Sequence, residues 1–256
     1  MTACDLGGRG VLVTRAAHQS AGLCRLIESQ GGRAVPLPAL EIARCRDAEV
    51  AAQLLGQAWD SMIFVSPNAV CHACAMVEDG GLKAARFGAV GQATAEALRL
   101  AGYPVDLIPN GRYDSEGLLA LPELQCMEGR QVLIVRGEGG RALLADSLRA
   151  RGAKVSYAEV YRRLRPEIDV VPLLRCWRGT VDLVTATSNE VLNNLLAMLG
   201  DQGWPLLRQT PLVVISERMR DVARQRGFET IVLASGADDA SLMSAVCDWI
   251  DGSGGC

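Results

Sequence analysis

The sequence predicts an α/β fold built from parallel β-sheets, and three observations support that prediction. Short apolar runs alternate with amphipathic stretches of helical length along all 256 residues. Most of these runs are apolar throughout, which is typical of parallel strands that helices cover on both faces. An internal duplication also divides the chain into two similar halves. Together they indicate parallel sheets covered by helices, repeated in two similar halves.

Ten strand candidates follow one another along the chain, and helical patterns separate most of them. Between the first two candidates, for example, Leu23, Leu26 and Ile27 share one face of a predicted helix. In chain order the candidates are Val11–Thr14, Ala34–Leu37, Ser61–Val65, Phe87–Val90, Val105–Ile108, Val132–Val135, Val155–Tyr157, Val181–Thr185, Leu212–Ile215 and Thr230–Leu233.

The duplication is visible as matched segments of about the same spacing in the two halves. The matched segments are 11–35 with 132–155, 59–70 with 181–192, and 89–109 with 214–234. Their paired positions include Arg15 and Arg136, Asp60 and Asp182, and Gly102 and Gly227. Because each half repeats strand, helix and strand in the same order, we expect the two halves to fold alike.

Composition places the chain among ordinary globular proteins. Hydrophobic residues make up 49%, charged residues 21%, and the net charge is −3. This balance lacks the clustered positive charge that nonspecific nucleic-acid binding requires, so we expect no nucleic-acid partner. No apolar run approaches the ~18 residues of a membrane span. No signal-type segment precedes the first strand, and we therefore expect no membrane association and a cytoplasmic location.

The chain contains nine cysteines and two histidines. Because nothing in the sequence suggests export, we expect reduced thiols. The only CxxC motif is "CHAC", from Cys71 to Cys74, and no second cysteine or histidine cluster completes a zinc site. We interpret this motif as packing residues of a helix; the alternative is a metal or redox role.

One glycine-rich stretch, "VLIVRGEGGRALL" (132–144), has the strand, turn and helix start that can cradle a phosphate. Its duplicate in the first half, "VTRAAHQ", keeps the arginine and loses every glycine. The acidic residue that a dinucleotide site places about 20 residues further on is also hard to locate. We therefore favour another anion over a nucleotide as the ligand of this loop, with the nucleotide kept as the alternative.

Six segments together resemble the signature segments of the uroporphyrinogen-III synthase family. Their order and spacing match that family over nearly the full chain. They are "VLVTRAAHQSAGLCRLIESQGGRAVPLPALEI", "FVSPNAV", "AVGQATAEALRLAGYPVDLIP", "DSEGLLALPEL", "VLIVRGEGGRALLADSLRARGAKVSYAEVYRR" and "VVISERMRDVARQRGF".

The resemblance implies two similar parallel-sheet α/β sandwich domains that exchange their first strand-helix unit, which makes domain 1 discontinuous. Domain 1 would combine residues 1–37 with 168–256, and domain 2 would run from 42 to 162. Linkers near 36–42 and 159–167 would join them, and each carries proline near its end. Two linkers over one hinge would let the domains open and close around a cleft.

The resemblance also implies a lyase of haem, sirohaem and cobalamin biosynthesis. Its substrate would be hydroxymethylbilane, which it would cyclise with inversion of the terminal pyrrole ring to give uroporphyrinogen III and water. No cofactor, metal or nucleotide is implied. We expect a monomer, with channelling of substrate from hydroxymethylbilane synthase. The alternative is a non-catalytic ligand-binding or regulatory module of the same fold.

The chemistry of this substrate asks for orientation more than for a strong catalytic group. Loss of the terminal hydroxyl as water gives an azafulvene, and the pyrrole nitrogens supply the electrons. The protein then needs at most one weak acid near the leaving oxygen. The free bilane closes unaided to the type I isomer, so the enzyme must hold a folded conformer that favours attack through a spiro intermediate.

Binding several carboxylates requires anion sites, which helix N-termini supply at the C-terminal ends of parallel strands. Arginines at strand ends can bind carboxylates bidentately. The substrate-binding candidates are Arg15, Ser66, Asn68, Gly91, Thr94, Ser115, Arg136, Gly137, Arg141, Thr187, Ser188, Asn189, Ser216 and Arg218. The alternative is that the hydroxyl and amide side chains are helix N-caps and that the two strand-end arginines pair with acidic residues of neighbouring helices.

Tyr161 is the candidate for chemistry. It matches the tyrosine of the family's "VY" linker motif, and the resemblance implies that this residue faces the cleft. Its hydroxyl could assist the departure of water. The alternative is a packing tyrosine that fixes the hinge. Arg162 and Arg163, which follow it, are interpreted as cleft residues or as solvated charge.

Overall fold

The computed structural model describes residues 4–77 and 81–253, which contain two five-stranded β-sheets and one short two-stranded sheet. The chain divides into two compact units. Unit 1 combines the residues up to Glu41 with those from Leu164 onwards, and unit 2 comprises Ile42–Arg163. Among the described residues, no helix has both the length and the hydropathy of a membrane span.

The strands and helices alternate along most of the chain. The strands are β1 (Gly10–Val13), β2 (Arg33–Pro36), β3 (Glu41–Arg44), β4 (Ala58–Trp59), β5 (Ser61–Phe64), β6 (Lys83–Ala84), β7 (Phe87–Ala89), β8 (Gln131–Gly137), β9 (Lys154–Leu164), β10 (Leu183–Ala186), β11 (Leu212–Val214) and β12 (Ile231–Leu233). The α-helices are α1 (Ala17–Ser29), α2 (Ala48–Leu55), α3 (Pro67–Met76), α4 (Gln92–Leu100), α5 (Ser115–Leu119), α6 (Leu143–Ala150), α7 (Val171–Cys176), α8 (Asn189–Gln209), α9 (Glu217–Arg226) and α10 (Asp239–Ser253).

Unit 1 has a fully parallel sheet in the order β12-β11-β10-β1-β2. The interior strand β1 is apolar and buried at all four positions, as expected for a strand covered on both faces. Successive side chains alternate between the faces: Leu12 packs in the core with α8 and α9, whereas Val11 and Val13 pack with α1 and α10.

Unit 2 has a sheet in the order β3-β9-β8-β5-β7, in which the four strands from β9 to β7 are parallel. The same alternation divides its core. Met62 and Phe64 of β5 pack with α2, α3 and α4, whereas Ile63 packs with α5 and α6. Each unit is therefore a parallel α/β sandwich, and the predicted fold class is confirmed.

The duplicated aspartates make equivalent hydrogen bonds in the two units. Asp60 Oδ2 accepts the backbone N–H of Gln131 at 2.8 Å, at the start of β8. Asp182 Oδ2 accepts the backbone N–H of Gly10 at 2.7 Å, at the start of β1. The predicted repeat is therefore also present in the structure, as equivalent contacts at the starts of β8 and β1.

One predicted strand does not form. Residues Val105–Ile108 contribute only an isolated bridge, between Gly88 and Leu107. Pro104 and Pro109 flank this segment, and proline removes a backbone donor and restricts the residue before it. The apolar run therefore cannot extend into a regular ladder.

Another predicted strand is longer than its apolar run. The prediction ended it at Tyr157, but β9 continues through Leu164 and lies between β8 and β3 in the sheet. The short strands β3, β4 and β6 were not predicted. Each has only two to four residues, so its pairing depends on a neighbour that is distant in sequence.

Two cysteines contradict the expectation of reduced thiols. Cys4 and Cys247 form a disulfide with Cα atoms 5.8 Å apart, across 243 residues of sequence. Both join the core between the sheet of unit 1 and helices α1 and α10, which brings them together. The other described cysteines are free, and Cys74 packs against the core of unit 2 as predicted while Cys71 is exposed.

Candidate active site

The carboxyl ends of β5, β7, β8 and β9 share one edge of the unit 2 sheet because these strands are parallel. A cavity of about 170 Å³ lies beside this edge. It is lined by Val65, Ser115, Ile134, Arg136, Gly137, Gly139, Gly140, Arg141, Leu144, Tyr157, Tyr161 and Arg163. Five predicted site residues therefore meet in one cavity: Ser115, Arg136, Gly137, Arg141 and Tyr161.

The cavity is cationic. Arg136, Arg141 and Arg163 contribute three guanidinium groups, and none of the described residues that line it is acidic. A planar guanidinium matches the two oxygens of a carboxylate and binds them with parallel hydrogen bonds. The arrangement suits a ligand that carries several carboxylates.

Residues 137–140, called the glycine loop below, begin at the end of β8 and contribute to this cavity in two ways. A Cβ on Gly137 would lie 2.6 Å from Cε2 and Cζ of Tyr161, so only glycine lets the tyrosine ring pack against this backbone. Gly139 and Gly140 have φ values of 75° and 103°, a region that favours glycine. The close approach that Gly137 permits is therefore to Tyr161.

The Tyr161 hydroxyl is held in place by Ser66. The tyrosine is buried, and its Oη lies 3.1 Å from Ser66 Oγ, with which it shares a hydrogen bond. Ser66 is the N-cap of α3, and its Oγ accepts the backbone N–H of Ala69 at 3.1 Å. The ring of His72 lies 5.6 Å from that of Tyr161, between centroids. The phenol therefore has a defined position at the edge of the sheet.

Arg136 is also fixed by its neighbours. Its Nε and Nη2 donate to Glu159 Oε1 at 3.1 and 2.8 Å, and its guanidinium carbon lies 3.8 Å from the centre of the Tyr157 ring. The alternative of an internal ion pair is thus observed for Arg136, although its partner lies on the neighbouring strand β9 and not on a helix.

Ser115 is the first residue of α5, and Asp114 caps this helix. The Asp114 carboxylate accepts the backbone N–H of Gly117 at 2.8 Å. This hydrogen bond, with further help from Arg112, holds the pKa of Asp114 below its ordinary value of 3.8. The ionised cap therefore fixes the turn that carries Ser115 to the cavity.

Four other candidates in unit 2 do not line this cavity, and one of them, Ser66, contacts Tyr161, which does. Asn68 lies in the first turn of α3, Gly91 is the N-cap of α4, and Thr94 is buried in the first turn of α4. Their elements follow β5 and β7 on the same edge of the sheet. Their contact with a ligand stays a prediction.

Six candidates lie in unit 1, at the carboxyl ends of β1, β10 and β11: Arg15, Thr187, Ser188, Asn189, Ser216 and Arg218. Ser188 and Ser216 cap α8 and α9, as the alternative expected. The buried Arg15 pairs with the Asp239 carboxylate and the Ala237 carbonyl. Asn189 Oδ1 is buried without a hydrogen-bond partner among the described residues. Ligand contact by this group also stays a prediction.

The sequence did not predict Tyr157 and Glu159 as site residues. For Arg163 it left two interpretations, a cleft residue or a solvated charge. Tyr157 lines the cavity, and Glu159 holds Arg136. Their roles depend on the pairing of β9 with β8, which sets Glu159 opposite Arg136 in the ladder. Because the prediction ended that strand at Tyr157, Glu159 lay outside the predicted strand.

A second cavity, of about 260 Å³, shares the Tyr157 side chain with the first and has the opposite charge. Its lining includes Asp47, Glu138 and Glu159, together with the thiol of Cys45. Burial raises the pKa of the Cys45 thiol, so the thiol stays neutral and is a weak nucleophile. The chemistry of unit 2 therefore points to the cationic cavity.

Comparison with known proteins identifies the family. The family model described as uroporphyrinogen-III synthase HemD matches residues 22–244. The chain belongs to the uroporphyrinogen-III synthase family. This assignment confirms the resemblance seen in the sequence.

Relatives in this family align over nearly the whole chain. The uroporphyrinogen-III synthase of Salmonella typhimurium strain LT2 is 34% identical over 247 residues, covering 92% of this chain and 99% of its own. That of Escherichia coli K12 is 33% identical over 245 residues, with the same two coverages of 92% and 99%.

Solved structures of the family share the α/β fold. A mutant uroporphyrinogen III synthase from the extremely thermophilic bacterium Thermus thermophilus matches with a TM-score of 0.63 and 19% identity, covering 94% of this chain and 98% of that one. The uroporphyrinogen-III synthetase of Helicobacter pylori 26695 matches with a TM-score of 0.59 and 13% identity, covering 94% and 99%.

Proposed function

We infer that the chain is a cyclising lyase that converts hydroxymethylbilane to uroporphyrinogen III and water in porphyrin biosynthesis. The observation that carries this function is the family match over residues 22–244. The cationic cavity supports it, because hydroxymethylbilane carries a carboxylate on every acetate and propionate arm. The alternative of a non-catalytic module is not favoured, since the arginines, the glycine loop and Tyr161 are all present.

Arg136, Arg141 and Arg163 are the proposed carboxylate-binding residues of unit 2. They lie around one cavity, and a guanidinium binds a carboxylate through charge-assisted hydrogen bonds. Ser115 and the backbone of the glycine loop add donors to the same cavity. Binding several arms at once restricts the bilane to a folded conformer, which is what isomer control requires.

Tyr161 is the proposed acid. As the C–O bond of the hydroxymethyl group breaks, a pyrrole nitrogen supplies electrons to form the azafulvene, and the Tyr161 hydroxyl donates its proton to the departing oxygen, which leaves as water. When Ser66 donates to Tyr161 Oη, it leaves the phenol proton free for this transfer and stabilises the developing phenolate. The alternative role of Tyr161 is packing on Gly137 alone.

The remaining candidates are proposed to bind other carboxylates. Their placement supports this role, because helix N-termini at the carboxyl ends of parallel strands favour anions. They are Arg15, Asn68, Gly91, Thr94, Thr187, Ser188, Asn189, Ser216 and Arg218. Gly137 and Ser66 are proposed to act through Tyr161.

We also propose the domain organisation that the resemblance implies. Domain 1 would comprise 1–37 and 168–256, domain 2 would comprise 42–162, and the segments near 36–42 and 159–167 would be linkers. The pairing of β1 and β2 in one sheet with β10, β11 and β12 supports an exchanged first strand-helix unit. A monomer, a cytoplasmic location and channelling from hydroxymethylbilane synthase are proposed as well. Channelling would limit the unaided closure of free bilane.

An isomer-resolved assay tests the function. Freshly prepared hydroxymethylbilane is incubated with increasing protein, the products are oxidised, and the type I and type III isomers are separated. We expect a type III fraction that grows with protein concentration. If folded protein and fresh substrate give only the type I isomer, the catalytic function is rejected.

A further inference from the structure

Glu159 gathers three donors on one carboxylate oxygen. Its Oε1 accepts Nε and Nη2 of Arg136, at 3.1 and 2.8 Å, and the backbone N–H of Gly139 at 3.3 Å. Two of these donors belong to a cavity arginine and the third to the glycine loop. Glu159 thus ties together the two parts of the site that follow β8.

The ion pair uses only one side of the Arg136 guanidinium. Nε and Nη2 face Glu159, whereas Nη1 lies on the side of Gly140, 3.9 Å from the position that a Cβ on this glycine would occupy. A guanidinium carries five N–H donors, so pairing with Glu159 leaves donors for a second carboxylate. The Tyr157 ring packs against one face of the guanidinium and favours this orientation through a cation–π contact.

Glu159 and Arg136 line two different cavities of opposite charge. Glu159 lines the acidic cavity and does not line the cationic one, to which Arg136 belongs. Its carboxylate therefore contacts Arg136 from the side of the acidic cavity, without occupying the space in which a ligand would bind. In unit 1 the equivalent Arg15 is paired differently, with Asp239 of α10. A carboxylate from the neighbouring strand is a feature of the unit 2 site.

We propose that Glu159 is a positioning residue for substrate binding, which orients Arg136 and the glycine loop toward one carboxylate arm of the bilane. This inference rests on the proposed function of the same cavity. Glu159 does not contact the substrate in this arrangement. It orders the two donor groups in advance, so that less freedom is lost when the substrate binds.

Two variants separate this role from its alternatives. Glu159→Ala removes the acceptor, and we expect KM for hydroxymethylbilane to rise about tenfold with kcat within about twofold, as for loss of a hydrogen bond to a charged group. Glu159→Gln keeps an amide oxygen that can accept the same donors, and we expect it to restore most of the wild-type KM. The matched control is Glu229→Ala, which breaks the exposed Arg208–Glu229 pair of unit 1 and should leave both constants unchanged.

The binding of uroporphyrin III, the oxidised and fluorescent form of the product, gives a readout that does not need turnover. Glu159→Ala should weaken its binding by the same factor as it raises KM, with Glu159→Gln near wild type. If Glu159→Gln binds more tightly than wild type, Glu159 merely offsets charge and the proposal is overturned. The proposal is also overturned if Glu159→Ala lowers thermal stability while KM and uroporphyrin binding stay unchanged. Failure of the proposed function would instead be visible in the wild-type isomer assay.

Discussion

Tyr161 Oη and Ser66 Oγ lie 3.1 Å apart, so the N-cap residue of helix α3 also holds the phenol at the cavity. Ser66 accepts one backbone N–H and has its own proton to donate. This relationship joins a capping position, which the sequence explains locally, to the proposed acid 95 residues away.

Tyr161→Phe tests the acid directly. The variant keeps the ring that packs on Gly137 and loses only the hydroxyl. We expect kcat to fall about a hundredfold, the low end of general acid catalysis, because the pyrrole nitrogens still drive departure of water. Isomer-resolved kinetics and a thermal melt are the measurements. An unchanged kcat would assign Tyr161 to packing alone.

Ser66→Ala and Ser188→Ala form a matched pair. Both serines cap a helix in the same backbone conformation, with φ of −160°, and each Oγ accepts one backbone N–H. Each variant should therefore lose about 1 kcal/mol of unfolding free energy. Ser66 contacts Tyr161, so Ser66→Ala should lower kcat, whereas Ser188→Ala, at a proposed carboxylate-binding residue, should change KM and not kcat. Urea unfolding and steady-state kinetics measure the two effects, and equal kcat values would contradict the proposed support of the phenol.

Gly137→Ala should disturb the Tyr161 ring. The added Cβ would lie 2.6 Å from two ring atoms, and overpacking of this kind costs about 1–3 kcal/mol. We expect lower stability together with lower kcat. Gly179→Ala is the control, because a Cβ there would meet nothing within 4 Å. The interpretation of Gly137 fails if its variant is as stable and as active as that control.

Acid should weaken the cap of α5. The pKa of the Asp114 carboxyl is lowered in the folded state, mainly by the hydrogen bond from Gly117. Its contribution to stability is therefore complete above the ordinary value of 3.8 and is lost as pH falls through the lower folded value. Asp114→Asn retains a cap that does not titrate, so its stability should fall less over this window. Unfolding at a series of pH values tests this, and parallel curves would count against it.

Reduction should destabilise unit 1. The disulfide between Cys4 and Cys247 closes a segment of 243 residues, and disulfides typically contribute about 2–4 kcal/mol. Dithiothreitol should lower the melting temperature of wild type but not of Cys4→Ser. Cys126→Ser, at an exposed free cysteine, should respond as wild type does. If the reductant has no effect on wild type, the disulfide does not form in the protein.

Much of the architecture follows from local sequence pattern. Apolar runs and amphipathic helices repeat over short windows, so their periods predict the buried strands and their covering helices. The duplication also predicts Asp60 and Asp182 as equivalent, and both accept a backbone N–H at the start of an interior strand. The residue types that follow the strands predicted Ser115, Arg136, Gly137 and Arg141 at the cationic cavity, and the family resemblance predicted Tyr161.

The tertiary structure alone decided which of these residues work together. Three features depend on residues that are distant in sequence. Glu159 binds Arg136 across 23 residues, and Cys4 bonds to Cys247 across 243. The extended part of β9 forms only by pairing with β8. No window of sequence contains both partners of such contacts. Burial and strand pairing bring them together only when the whole sheet has formed, and for this reason Tyr157 and Glu159 emerged from the structure and not from the sequence.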